Sequence, residues 1–397
     1  MPASRASNLV AAKVPPAASP ALAPARIAVA RAYMPDSDSV LPYLRRIDEA
    51  RWYSNYGPLL LGFEARLRKR FVDGAAIATV SSGTLALTIT LQALTAGARD
   101  TIAEGYCILP SWTFVATAHA VAQAGLRPWF VDVDPHNGML DPKAVLSLLK
   151  QAPGPVQAVI PVAAFGRMPD LDAWKQFEAE TGLPVLLDAA AAFDALDDAP
   201  IPAMVSLHAT KILGVGEGGF VVARDPALAA MIRKRANFGF QGDRTAREVA
   251  TNAKLSEYAA ALGHASLDHW PATRMRYMLS AQRLRIALIG APEVQFQPGW
   301  GSDWISTTCI VGLPEGSADH VEAALAAQGV ETRRWWGQGC HKAPAFAGAA
   351  RTALPVTERL AKSTIGLPFA LDLSEEAIGR VAEALIGAVR TYHGGSA

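Results

Sequence analysis

Val205-Ser-Leu-His-Ala-Thr-Lys-Ile-Leu-Gly-Val-Gly-Glu-Gly-Gly219 places one lysine, Lys211, between a strand-like run, Ala203–Ser206, and a glycine-dense turn. A second strand-like run, Phe220–Ala223, follows the turn. Surface lysines usually lie in polar, helix-compatible stretches, whereas Lys211 meets no charged residue downstream until Glu217. A lysine held against apolar surface loses part of its solvation, which favours the neutral, nucleophilic amine. Such an amine can form a Schiff base with a carbonyl compound. The alternative is a loop lysine paired with Glu217.

Working outward, Asp188 closes the apolar run Leu183-Pro-Val-Leu-Leu-Asp188. An aspartate at the C-terminal end of a buried parallel strand faces the crevice where α/β proteins bind ligands. A pyridoxal cofactor needs a carboxylate there, because an ion pair keeps the pyridine nitrogen protonated and the ring an electron sink. A helix N-cap for Ala189–Ala192 is the competing role for Asp188. Further upstream, Ala76-Ile-Ala-Thr-Val-Ser-Ser-Gly-Thr84 precedes a helical pattern, Leu85–Ala93. A strand, then Ser-Gly-Thr, then a helix aims backbone N–H groups and a helix dipole at one spot, which suits a phosphate. The tripeptide is common; its position at the first strand-to-helix turn gives it weight.

In this order the motifs resemble the sugar aminotransferase family called DegT/DnrJ/StrS, of the aspartate aminotransferase fold type. The resemblance runs from about Trp52 to Leu385. It takes in Tyr56-Gly-Pro58, Phe63-Glu64, Ser82-Gly-Thr84, Pro110-Ser-Trp-Thr-Phe-Val-Ala-Thr117 and Val131-Asp-Val-Asp134. It continues through Pro161-Val with Phe165-Gly166, Asp188-Ala-Ala190, Ser206 to Gly219, and Asn252-Ala-Lys-Leu-Ser-Glu257. His341-Lys342, Leu354-Pro-Val-Thr-Glu358 and Leu367-Pro368 complete it. The resemblance implies pyridoxal 5'-phosphate as cofactor, with Lys211 as its covalent lysine and Asp188 as the pyridine-nitrogen partner. It also implies Ser82, Gly83, Thr84 and Ser206 around the phosphate, with Phe114 stacked on the ring. Asn252 is expected to reach the phosphate of a partner subunit, making a homodimer with shared sites. His208, Arg333 and His341 are the expected substrate-binding residues.

Two positions depart from the family's usual pattern, and a third narrows the reading. The family commonly has a glutamine after Asp-Ala-Ala, reaching the cofactor's phenolic oxygen, and here Ala191 stands in its place. His208 occupies a position where many members carry an aromatic residue. A lone histidine is more often structural, but this one lies close to the reactive lysine. Relatives that dehydrate sugars carry histidine where this chain has Lys211, so the lysine favours transamination.

Composition agrees. With 397 residues the chain exceeds one typical core, which predicts two lobes. Hydrophobic residues make up 51% and mean hydropathy is +0.16, as in a well-buried enzyme. A net charge of +1 gives no global attraction to nucleic acid or membrane. Cys107, Cys309 and Cys340 are odd in number and lack metal spacing, which points to a reduced compartment and no disulfide framework. No apolar run approaches the roughly 20 residues of a membrane span. No secretory signal is evident, and a cytoplasmic location is expected.

The expected fold is α/β: a mostly parallel sheet between helices in a large cofactor-binding domain (26–275), with a smaller α+β C-terminal domain (276–397). Residues 1–25, rich in proline and alanine, are expected to be flexible. Between 76 and 223 strand-like and helix-like runs alternate, including Arg127–Val133, a helix opening at Asp141-Pro142, and Val156–Val162. Gly214-Val-Gly-Glu-Gly-Gly219 lacks dinucleotide-fingerprint spacing. Asp132-Val-Asp-Pro-His-Asn-Gly138 has its glycine one place late for a calcium loop, and no metal site is expected. The basic-aromatic patch Arg333-Arg-Trp-Trp336 is better suited to a phosphate-bearing small substrate than to nucleic acid. The expected reaction moves an amino group from an amino acid, L-glutamate first, to a nucleotide-linked keto-sugar. A keto-cyclitol aminotransferase and a non-catalytic cofactor-binding regulator are the alternatives.

Overall fold

The computed structural model describes residues 26–72, 74–96 and 105–394; the expected flexible segment 1–25 lies outside them. The strands are β1 (Ala76–Val80), β2 (Tyr106–Pro110), β3 (Arg127–Val131), β4 (Val156–Val159), β5 (Leu187–Asp188), β6 (Ala203–Ser206), β7 (Gly219–Ala223), β8 (Gln295–Phe296), β9 (Cys309–Gly312), β10 (Ala350–Arg351) and β11 (Thr364–Leu367). The helices are α1 (Ser37–Ala50), α2 (Pro58–Arg68), α3 (Gly83–Leu94), α4 (Val115–Gln123), α5 (Pro142–Leu148), α6 (Leu171–Thr181), α7 (Pro226–Ala236), α8 (Glu257–Ala287), α9 (Ala318–Ala327), α10 (Pro355–Ser363) and α11 (Glu375–Gly394).

Two four-stranded ladders, β1-β7-β6-β5 and β10-β3-β2-β4, meet through parallel bridges from Val159 to Val185 and from Val162 to Asp188. Together they make one mostly parallel sheet, in which β7 runs antiparallel to both β1 and β6. Successive strand residues point to opposite faces, and each face has its own core. Ile77, Ile108, Val205 and Phe220 pack with Leu60, Phe63 and Trp174 on one side. Ala78, Leu109, Met204 and Val221 pack with Leu87, Val121 and Ile232 on the other. Helices therefore cover both faces, as the alternating pattern predicts. The third sheet, β11-β9-β8, is antiparallel.

Strand bounds are shorter than the apolar runs. Arg127–Val133 ends its pairing at Val131, and Val156–Val162 is a strand only to Val159. The apolar composition carries on past the named strands because Val133 and Val162 remain buried, Val162 through a parallel bridge to Asp188. Asp141 caps α5, with Pro142 at its first position.

Four acidic residues from the quoted motifs, or close to them, join elements together. Glu64 accepts from the Thr79 N–H (2.9 Å) and hydroxyl (2.8 Å), and pairs with Arg233. Glu257 accepts from the N–H groups of Leu59 (2.8 Å) and Leu60 (2.9 Å), and so caps α2 from the start of α8. A Cβ at Gly57 would lie 2.7 Å from the Glu257 carboxyl carbon, which is why glycine precedes Pro58. Asp132, at the end of β3, accepts from Val356 N (2.8 Å), Thr357 N (2.9 Å) and Thr357 Oγ1 (2.7 Å), capping α10. Asp194 binds the Arg274 Nε (2.7 Å) and the Ile305 N–H (3.0 Å).

Candidate active site

The decisive stretch forms a hairpin between β6 and β7. Leu207 N–H donates to the Gly218 carbonyl at 2.9 Å, and Ala209 N–H to the Gly216 carbonyl at 2.7 Å. Lys211 sits near its tip, with its N–H bonded to the His208 carbonyl at 2.8 Å. Its side chain lies in a desolvated setting that pulls the ammonium below the ordinary lysine value, and the Asp188 charge opposes that shift. Its electrostatic partner is thus Asp188. Glu217 instead lies 3.6 Å from His208, 70% exposed.

Asp188 is buried at the end of β5. Its Oδ2 accepts from the Thr117 hydroxyl at 2.7 Å and its Oδ1 from Ala190 N–H at 3.1 Å. Burial raises the carboxyl, while Thr117, Ala190 and Lys211 favour the charged form. Turns rather than a helix follow it, so the Ala190 bond closes a local turn and the helix-cap alternative is overturned. Thr113 Oγ1 lies 2.9 Å from Thr117 Oγ1. Neither threonine was singled out in the sequence, although both belong to the quoted motif; a paired hydroxyl at i and i+4 beside a strand-end aspartate was the available signal.

Ser82 caps α3, its Oγ accepting from Leu85 N–H at 3.2 Å. Gly83 opens the helix, packed so that an added Cβ would meet Met204 Sδ at 3.2 Å and Ser206 Cβ at 3.3 Å. A Cβ on Gly219 would lie 2.8 Å from the Gly83 backbone, so β7 and the helix start come together only because both residues are glycine. Ser206 Oγ accepts from His208 N–H at 3.3 Å and retains its own proton to donate. The Thr84 hydroxyl makes no hydrogen bond among the described residues. This cradle offers N–H and O–H donors at a helix N-terminus, beside a buried carboxylate and a desolvated amine. Those groups fit pyridoxal phosphate: donors for its phosphate, a carboxylate for its ring nitrogen and an amine for its aldehyde.

Beside the cradle is a cleft of about 490 Å³ whose lining includes Phe114, Trp335, Trp336, Gln338 and Lys342. Phe114 is 57% exposed at the start of α4. Trp336 stacks on Phe165 with ring centroids 3.7 Å apart. Phe165 holds a left-handed backbone (φ 56°), a strained conformation for an aromatic residue. Arg333 does not line this cleft; its guanidinium stacks 4.8 Å from the Trp335 ring centroid and lies 3.6 Å from Glu331. Arg334 serves structure, bonded to Asp319, Glu322 and the Ala361 carbonyl. His341 is buried, with Nδ1 2.7 Å from Ser111 Oγ and Nε2 3.7 Å from Glu358. His208 Nδ1 lies 2.8 Å from Thr210 Oγ1. Asn252 is exposed and accepts from Lys254 Nζ at 2.6 Å.

The sequence profile of the DegT/DnrJ/EryC1/StrS aminotransferase family matches residues 36–386. Protein Rv3402c of Mycobacterium tuberculosis is 32% identical over 359 residues, 86% of this chain and 84% of its own. The dTDP-3-amino-3,4,6-trideoxy-alpha-D-glucose transaminase of Streptomyces venezuelae is 30% identical over 352 residues, 86% of this chain and 89% of its own. The solved structure of DesI with its TDP-sugar product superimposes with a TM-score of 0.82 at 33% identity, covering 94% of this chain and 95% of DesI. With the profile spanning most of the sequence and the cradle suited to the cofactor, the chain belongs to the DegT/DnrJ/EryC1/StrS aminotransferase family of pyridoxal phosphate-dependent enzymes.

Proposed function

We propose that this enzyme transfers the amino group of an amino acid, L-glutamate first, to a keto-sugar carried on a nucleotide. What carries this reading is the buried Asp188 at a strand end beside the Gly83–Ser206–Gly219 cradle, with Lys211 near enough for the two charges to favour each other. The bound cofactor supplies an aldehyde that captures amines and a ring that accepts electrons. Lys211 would hold the cofactor and, once released by the donor amine, its Nζ would move the proton at the substrate carbon, with desolvation favouring the neutral amine. Asp188 holds the ring nitrogen. Ser82, Gly83, Thr84 and Ser206 bind the phosphate, and Phe114 covers the ring. The aromatic cleft and Lys342 suit a planar base and a phosphate, with Arg333 and His341 flanking through Trp335 and Cys340. His208, beside Lys211, meets the bound sugar.

Asn252, exposed on one chain, completes the partner's phosphate site in a homodimer. Exposed Trp52, Tyr53, Phe238 and Tyr258 support an apolar interface. Three buried, free cysteines are in keeping with a cytoplasmic location. Incubating the pure protein with glutamate and a panel of nucleotide keto-sugars, with products read by mass, tests the reaction. One sugar should gain an amino group, and Lys211→Ala should abolish both that product and the protein-linked absorption band. A product from the Lys211→Ala variant at the wild-type rate would refute the role of the lysine. Keto-cyclitols belong in the same panel.

A further inference from the structure

Buried threonines of α3 and its C-cap bond their hydroxyls back to their own helix, Thr88 also lying 3.2 Å from Gln123 Oε1 of α4. Thr88, Thr90 and Thr95 donate to the carbonyls four residues earlier at 2.9, 2.7 and 2.8 Å. Thr117 of α4 departs from that habit. Its hydroxyl leaves the helix and reaches Asp188 Oδ2 at 2.7 Å. The carbonyl four residues earlier, on Thr113, accepts the Cys340 thiol at 3.3 Å instead.

Proton directions follow from the chemistry. A carboxylate only accepts, so the Thr117 hydroxyl must donate to Asp188. Its single proton is then committed, so across the 2.9 Å contact Thr113 Oγ1 is the donor and Thr117 Oγ1 the acceptor. Thr113, Thr117 and Asp188 are 2%, 0% and 5% exposed, so water does not replace either bond. Valine has nearly the same shape as threonine and would fill these positions at no polar cost; two hydroxyls here imply a demand for donors.

We propose that Thr113 and Thr117 are positioning residues, a hydroxyl relay that fixes the Asp188 carboxylate and keeps it charged for the cofactor's ring nitrogen. The relay rests on the reading of Asp188 given above. Chained hydrogen bonds polarise one another, so the outer threonine strengthens the inner bond. Burial works against the charged carboxylate, and the relay opposes burial.

The test uses the full chain with the Asp188 carboxyl observed by carbon NMR after cofactor removal, together with cofactor retention on dialysis of the loaded enzyme. Thr117→Val should raise the Asp188 titration by about one pH unit and weaken cofactor retention about tenfold. Thr113→Val should move both in the same direction by less. Thr117→Ser keeps the donor and should restore both. A Thr117→Val protein that titrates and retains cofactor like the wild type overturns the relay, as does a Thr117→Ser protein that behaves like the valine variant. If Thr117→Val does not fold, an unmoved titration in Thr113→Val overturns it. Asp188→Asn separates the two readings: wild-type retention in that variant removes the ring-nitrogen role of Asp188, and the NMR titration then judges the relay alone.

Discussion

Glu64 and Asp188 are buried almost equally, 2% and 5% exposed, yet their surroundings differ. Glu64 has a charged partner in Arg233 and two donors from Thr79, so both its oxygens are satisfied from within one chain. Asp194 is built the same way, with Arg274 and the Ile305 N–H, while each Glu257 oxygen accepts one backbone N–H at the start of α2. Asp188 has one hydroxyl, one N–H and a lysine whose own charge is disfavoured by burial. A fully partnered buried acid holds architecture together. One left short of compensation is held ready for a positive group that arrives with a ligand.

Truncating Glu64 should break the first kind most severely. Glu64→Ala leaves Arg233 without its carboxylate and the Thr79 N–H and hydroxyl without their acceptor, and a fall in stability of about 3–5 kcal/mol is expected in chemical denaturation. A loss below about 1 kcal/mol would place Glu64 with ordinary surface pairs.

Asp188→Asn should show the opposite balance. Turnover should drop about 10²–10³-fold, the usual cost of removing one electrostatic group from a reacting centre. Stability of the cofactor-free protein should rise. Burial lifts the Asp188 carboxyl above its ordinary 3.8, so its contribution is fully present below that pH and is lost as pH rises through the folded value. Asparagine escapes that loss. The variant should therefore melt about 2 °C higher near neutrality, with the gap closing below pH 3.8. A variant less stable than wild type at pH 7 would remove the contrast with Glu64.

Asp132 sharpens the comparison at an intermediate level, because it is only partly buried and acts as a helix cap. Asp132→Ala should cost about 1–2 kcal/mol, read as a shift of the urea midpoint. The smallest effect is expected at His208, 45% exposed and bonded to Thr210. His208→Phe should change stability by less than about 0.5 kcal/mol. It should also leave the pH titration of the protein-linked absorption band unmoved. A large shift of that band would make His208 the donor that compensates for Ala191.

Much of this molecule was legible in its sequence. Alternating strand and helix runs, Ser82-Gly-Thr84 at the first strand-to-helix turn and Lys211 before a glycine-dense turn are local patterns. Local backbone preference and two-sided burial are enough to produce them. Strand ends were less legible, since the run to Val133 stays buried beyond the β3 ladder, and the run to Val162 passes from the β2 ladder to isolated bonds with the Asp188 strand. Only the tertiary structure decided which partners each buried acid meets. Glu64, Asp132 and Glu257 stand in motifs as prominent as that of Asp188, but their partners are Thr79 and Arg233, Thr357, and Leu59. Most of those partners are remote in the chain, and sequence spacing carries no record of them. The same holds for the Thr113–Thr117–Asp188 chain, whose donor directions exist only once β5 and α4 are packed together. Hydrogen-bond satisfaction is a property of the folded interior, and it makes three of these acids fasteners and leaves Asp188 on the side chains of the proposed site.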